Sequence, residues 1–416
     1  MNKNIKLAVA GAVLALSATA ANAGIIIPAG DWTLDINGNV NGYANFSKQK
    51  GTNDITGGIV GARQAHQDSN QTITTGLLPS WLGFTGKTRQ NDLDVEFTIS
   101  LQPGISANDI SGDGAFVDGT SSSNGAKTLN RQTYLSFGDK SWGSIKIGKD
   151  LGVFASDAIL NDMTLLGVGS GVGGNGPGTN TTNGGIGTGY IYAAWKGQIA
   201  YTTPNFNGFQ ATVALTNPNQ PFGVSTAVSS GVYTQTVVNQ DRFGVEGKAS
   251  YSFSADAMSG KLWVSGATYD VTTSTTSNAG YTATVADLGL NVNAGNIGLT
   301  GYYYKGEGVG TTLLGNAGVD SSNNKRDSDG GYLQATYKLP TATKIGLAYG
   351  VSKLDKANGS DTAALVSENN RITLGAYHPI TKHLNLVAEY NDVEAKSHNG
   401  LNNKQEIGSL GAILFF

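Results

Sequence analysis

The chain has no cysteine among its 416 residues, which excludes both disulfides and thiolate metal sites. Charge is sparse too: Asp, Glu, Lys and Arg make up 14% of the chain, with a formal balance of −3 at pH 7. A mildly acidic balance without a basic face argues against a nucleic-acid partner. Beyond the first 23 residues no run approaches the roughly 18 apolar residues that a membrane-spanning helix needs. The mature chain is therefore either soluble or a barrel that crosses a membrane with strands. Glycine is plentiful, 59 residues, but without the Gly-X-Y period of collagen. At 39% hydrophobic the chain is too apolar to be disordered.

The first 23 residues carry a secretion signal. Lys3 and Lys6 form a basic start, LAVAGAVLALSATA an apolar middle, and Ala21-Asn22-Ala23 a small-residue cleavage site before Gly24. Losing that segment, with its two lysines, takes the formal charge from −3 to −5.

Within 31–47, Trp32, Leu34, Ile36, Val40 and Phe46 share one parity, while Asp31, Thr33, Asp35, Asn37, Asn39, Asn41, Asn45 and Ser47 hold the other. Within 92–102, Leu93, Val95, Phe97, Ile99 and Leu101 alternate with Asp92, Asp94, Glu96, Thr98, Ser100 and Gln102. Period-two alternation over such lengths specifies strands with one apolar and one polar face. The same reading along the chain gives sixteen: 31–48, 80–90, 91–102, 129–138, 142–150, 196–204, 207–216, 240–253, 260–270, 281–292, 296–305, 329–339, 343–354, 369–378, 384–394 and 405–416.

A soluble sandwich also alternates, so the connections decide. Odd-numbered gaps run from about ten residues to over forty, whereas even-numbered ones are short, such as Gly138-Asp139-Lys140-Ser141 and Asn293-Ala294-Gly295-Asn296. Short turns at one end, long loops at the other and an even strand count are the pattern of an outer-membrane barrel. Hydrocarbon leaves no partner for an open sheet edge, so such a sheet must close. Sixteen strands enclose an aqueous channel, which explains a polar face. The expected fold is therefore all-β: a transmembrane antiparallel β-barrel of 24–416. Aromatic residues at Trp32, Tyr43, Phe46, Tyr302–Tyr304, Phe415 and Phe416 fall where a headgroup-level girdle is expected.

The longest connection, about 150–190, has an apolar–acidic start, DLGVFASDAILNDMTLLG, and a glycine- and asparagine-rich continuation. Long connections inside a compact domain are usually functional or disordered. This one is expected to fold into the barrel and narrow it. Its residues 154–166 suit a short helix ended by Gly167.

With these segments in view, the chain resembles the Gram-negative general porins, trimeric sixteen-stranded barrels, over essentially its whole mature length. SWLGFTGKTR and LDVEFTISLQP are similar to that family's second and third strands. RQTYLSF and WGSIKIGKD resemble the fourth and fifth, leading into the constriction loop, and GAILFF supplies the terminal phenylalanine, Phe416. Two departures stand out: Trp81 occupies a place where relatives often carry a wall arginine, and the loop lacks a Pro-Glu-Phe-Gly-like segment. The resemblance implies a homotrimer in outer-membrane lipid and lipopolysaccharide, passing ions and small hydrophilic solutes without a cofactor.

It also implies acidic loop groups facing basic wall groups across the constriction, since rings of charge are how such pores select ions. On the loop the candidates are Asp157 and Asp162, with Asp150 at its root. On the wall, Lys146 alternates with Ile145 and Ile147 and so faces water. Lys87 and Arg89 share the lumen side with Thr85, toward the short-turn rim. Arg131 and Lys149 sit at strand ends where the chain can bend, and Arg242, Glu246 and Lys248 share one parity.

Other signals carry less. Gly169, Gly171 and Gly174 match a phosphate-binding count but open no helix after a parallel strand. His378 and His383 lack the convergent ligands of a zinc site, and VDSSNNKRDSDGG fails the calcium-loop spacing. A solute-specific channel for amides, anions or sugars is the alternative reading. An outer-membrane enzyme is a distant one, since no nucleophile or acid–base set is recognisable among four histidines.

Overall fold

The computed structural model describes residues 24–63, 68–105, 128–171, 181–217, 242–272, 280–312 and 314–416; the expected signal segment 1–23 lies outside them. Sixteen long strands form the wall. They are β1 (Trp32–Lys50), β2 (Trp81–Gln90), β3 (Leu93–Pro103), β4 (Thr133–Asp139), β5 (Gly143–Leu151), β6 (Trp195–Thr202), β7 (Phe209–Thr216) and β8 (Gly244–Ala255). The second half holds β9 (Met258–Thr272), β10 (Gly280–Ala294), β11 (Ile297–Glu307), β12 (Asp327–Lys338), β13 (Lys344–Leu354), β14 (Val366–Pro379), β15 (Leu384–Ser397) and β16 (Asn402–Phe415).

Each strand pairs antiparallel with its neighbours in sequence, and β16 pairs with β1 from Lys404↔Lys50 to Phe415↔Asn39, which closes the barrel. The Phe416 carbonyl accepts the Gly38 N–H at 2.8 Å, sealing the seam to the last residue. Among the described residues three short strands are appended: Ile25–Ala29 folds back along the start of β1, Ser69–Thr74 pairs with its far half, and Thr128–Leu129 pairs with the end of β3.

The parity holds as expected. Val40 and Phe46 are exposed on the outer face of β1 while Asn39, Asn41, Asn45 and Ser47 are buried inside; Ile99 and Leu101 face outward on β3, with Thr98, Ser100 and Gln102 inside. The Asn91–Asp92 hairpin turn puts both residues in the left-handed region (φ 49° and 62°), the geometry that matches strand twist.

Two expectations change. Only Tyr303 of the tyrosine triplet belongs to the girdle: Tyr302 and Tyr304, like Tyr43, point into the barrel and are buried. In an alternating strand three consecutive residues cannot share a face. The connection 398–401 also proves to be four residues, because β15 runs on to Ser397 and β16 starts at Asn402.

The apolar core lies inside the barrel, under the inward loops. One cluster packs Phe154, Leu165, Ile186 and Ile191 of the long loop against Trp263, Tyr302 and Tyr332 of the wall. A second joins Met163 and Val168 of that loop, and Ile55 and Val60 of the first long connection, to Tyr377, Val387, Val393 and Ile407. The first long connection thus folds into the mouth of its own barrel, Ile59 N–H donating to Asn369 and Asn53 Nδ2 to the Asn402 carbonyl.

Candidate pore constriction

The loop between Leu151 and Trp195 is pinched at its neck, where the Gly152 N–H donates to the Ala194 carbonyl at 2.8 Å. The single helix expected over 154–166 is broken into α1 (Ser156–Leu160) and a 3-10 turn (Met163–Leu166) that ends at Gly167. The break is at Asp162, whose backbone is extended (φ −69°, ψ 124°) and whose carboxylate accepts the Thr164 N–H at 2.9 Å. A carboxylate in that position caps a new turn better than it continues an old one.

A loop buried inside a barrel must find partners for its own N–H groups. Here the wall supplies carboxylates. Glu246 of β8 accepts with one oxygen from the N–H groups of Val153 at 2.6 Å and Phe154 at 2.8 Å, and with the other from the Tyr269 hydroxyl and from Lys196 at 2.6 Å. Farther along, Glu389 of β15 accepts from Val168 N–H and Gly169 N–H, both at 2.9 Å, and from the Tyr377 hydroxyl at 2.7 Å.

Between these anchors, Tyr332 donates to the Ala158 carbonyl, and Gln334 both donates to the Asn161 carbonyl and accepts the Met163 N–H. Tyr43 of β1 completes the run by donating to the Leu166 carbonyl at 2.7 Å. The loop is therefore laid along the inner wall from β8 round to β1.

Its glycines permit the close approaches. A Cβ on Gly167 would collide with the Glu389 carboxylate, and Gly169, in the left-handed region at φ 63°, meets Gly184 backbone to backbone where the loop doubles back.

The two loop acids differ. Asp157 on α1 pairs with Lys248 at 2.9 Å and with Lys261 of β9. Burial alone would raise its carboxyl, but the two lysines hold it below its usual value. Asp162 accepts from the Gly185 N–H at 2.9 Å and the Tyr190 hydroxyl at 2.8 Å and lies 3.6 Å from the Arg371 guanidinium of β14. It brackets the two arms of the loop together and faces no open passage. Asp150, at the root, accepts from Gln132 at 2.9 Å and from Lys146, whose ammonium also lies 4.8 Å over the Tyr134 ring.

The other basic candidates stand away from the loop acids. Lys87 pairs with Glu96 at 3.4 Å, and Arg89 with Asp94 and Asp139 beside the short turns. Lys149 donates to the Asn130 carbonyl at 2.8 Å, and Arg242, largely exposed at the long-loop rim, pairs with Asp270 at 2.8 Å. Lys149, placed at a strand end that can bend, thus gives its ammonium to a backbone carbonyl, and Arg242, placed by its parity with Glu246 and Lys248, is paired at the rim. Arg131 stacks its guanidinium 5.9 Å from the Trp195 ring, which in turn lies 5.9 Å from Trp81. The indole at Trp81 is thus followed by a second indole and an arginine on the same wall.

Four charged participants escape the sequence reading: Lys261, Lys196, Arg371 and Glu389. Parity alone marks all four as inward; what it omits is depth along the strand. His378 shares a hydrogen bond with Thr343, and among the described residues no three His, Asp or Glu side chains converge as for a metal.

A family model described as Gram-negative porin matches residues 8–398. The fold is similar to that of the outer membrane channel DcaP of Acinetobacter baumannii, with a TM-score of 0.67 at 16% identity over 95% of this chain and 100% of that one. An anion-selective porin from Comamonas acidovorans gives 0.59 at 16% identity, over 92% and 100%. The trimer form of OmpT, an outer membrane protein of Vibrio cholerae, gives 0.51 at 14%, over 92% and 99%. The comparison with curated proteins gave no match.

Proposed function

From membership of the Gram-negative porin family, to which this chain belongs, we propose that the loop and wall charges at Asp157, Lys248, Lys261, Lys146 and Asp150 set which ions and small hydrophilic solutes pass. The protein is an outer-membrane diffusion channel. It is passive on this reading: rate follows from the width left beside the loop and from the field of those charges, with no chemical step. The observation that carries the reading is a closed sixteen-strand barrel, apolar outside and polar inside, with one loop held along its interior wall.

Removal of residues 1–23 on export and assembly as a homotrimer belong to the same proposal, the latter supported by the trimer form of the Vibrio cholerae relative. Lipid and lipopolysaccharide would meet the exposed apolar belt and the charged outer rim above it, where Lys50 pairs with Glu406 and Lys404 with Glu394.

Conductance in a planar bilayer tests the reading. Ohmic current arriving in steps of three supports an open trimeric channel. Correctly folded protein that carries no current overturns it.

A further inference from the structure

The ion pairs beside the loop are lopsided: the base is the more accessible partner. Side-chain exposure is 33% for Lys261 and 18% for Lys248, against 5% for the Asp157 they share. It is 26% for Lys146 against 3% for Asp150. Toward the short turns the pattern continues, with Lys87 far more open than Glu96. The Lys196–Glu246 and Arg371–Asp162 pairs are sealed on both sides. Two lumen-parity carboxylates, Glu389 and Asp287, are buried and fully engaged. Glu389 serves loop N–H groups and Tyr377, and Asp287 serves Ser265 and Tyr302.

A solute moving past the loop therefore meets ammonium groups, with the carboxylates behind them. Around Asp157 two cations share one anion, so the charge there does not cancel. Parity places these lysines on the lumen face: Lys248 lies two residues from the inward Glu246, and Lys261 lies two from the inward Trp263.

We propose that Lys248 and Lys261, with Lys146 on the neighbouring wall, form a step that passes small anions, such as carboxylates and inorganic phosphate, in preference to cations. The inference rests on the channel reading above and adds the sign of its selectivity. Lysine suits the role. Its ammonium is a hydrated point charge on a flexible stem, which attracts an anion without the two-point grip of an arginine, so the ion can leave. Low-dielectric walls strengthen the field of each exposed charge.

The test is the reversal potential of the reconstituted wild-type channel across a potassium chloride gradient, repeated with potassium phosphate. Chloride and phosphate should both permeate more readily than potassium. In Lys248→Gln/Lys261→Gln the anion-to-cation permeability ratio should fall about threefold or more, and Lys146→Gln should move it the same way by less. Lys248→Arg/Lys261→Arg, which keeps both charges, should retain the wild-type sign, and Lys305→Gln on the outer face should change nothing.

An open wild-type channel that prefers potassium overturns the inference and leaves the channel reading standing. Anion preference that survives the double Gln variant overturns its assignment to these lysines. Absence of any current from folded protein overturns the channel reading itself. The wild-type measurement stands even where a variant fails to fold.

Discussion

Around Asp157 the loop meets two lysines whose ammonium groups stay partly in water, whereas around Asp162, five residues on, it meets Arg371, Tyr190 and its own backbone in a fully buried setting. The residue type, the loop and the charge are the same. What differs is the partner's exposure. A carboxylate whose cations reach solvent contributes to the field a permeating ion feels. One whose cation is sealed contributes to holding the loop still, because both charges have already given up water and depend on each other.

The most severe break of this contrast is Asp162→Ala. It strands Arg371 in the interior and frees the Gly185 and Thr164 N–H groups, so the loop should lose about 3–5 kcal/mol of local stability. Hydrogen exchange at those amides reads it out: protection should collapse there while the barrel strands keep theirs. Unchanged protection at Gly185 would mean that the bracket is dispensable.

Next in size is Gly167→Ala. The added methyl group runs into the Glu389 carboxylate and forces either the loop or that anchor aside, at a cost of about 1–3 kcal/mol. Gly359→Ala, in an external loop with open space around its Cβ and no left-handed backbone, is the matched control and should stay within about 0.5 kcal/mol. Thermal unfolding of both, followed on gels that separate folded from unfolded barrel, compares them directly.

Asp157→Asn should do the reverse of Asp162→Ala. Its lysines keep access to water, so loop stability should change by about 1 kcal/mol or less. Lys248 and Lys261 then lose their shared counter-charge, and the reversal potential should move farther toward anions. A large loss of loop protection in this variant would erase the distinction between the two acids.

The barrel was legible because lipid and water impose a period of two on every strand, and all sixteen strands read from alternation correspond to strands of the wall. The site was legible only in part. Parity assigned Lys146 and Lys248 to the lumen, and applied to β9 it would have added Lys261, which alternates with the outward Leu262 and Val264. Alternation is silent on how deep a residue sits and on which carboxylate a distant loop amide will reach. That is why Arg242 looked like a wall base and why Glu389 went unnoticed, while Lys149 was admitted on a bend at its strand end and turns to the Asn130 carbonyl instead. The split of the tyrosine triplet, by contrast, follows from parity: the outward Leu299 puts Tyr303 outside and Tyr302 and Tyr304 inside.

The smallest effect on current should come from the external loops, where a second sealed pair offers a further comparison with Asp157. Arg326, buried beside β12, donates to both oxygens of Asp361 at 2.7 Å and to the Ala317 carbonyl at 2.9 Å, clasping the connections 308–326 and 355–365. The guanidinium, helped by the Ala357 and Thr362 N–H groups, holds the Asp361 carboxyl down at about 2 from an ordinary 3.8. A lowered folded value means that the clasp stabilises fully above pH 3.8 and weakens as pH falls through about 2. Spin labels at Asn323 and Ser360 should accordingly report one separation from pH 7 to pH 4 and a wider one only below that. Arg326→Gln should give the wide separation at every pH, with the reversal potential unchanged because this pair lies outside the constriction. A change in ion preference in that variant would mean that the mouth, and not the lysines beside the loop, governs selection.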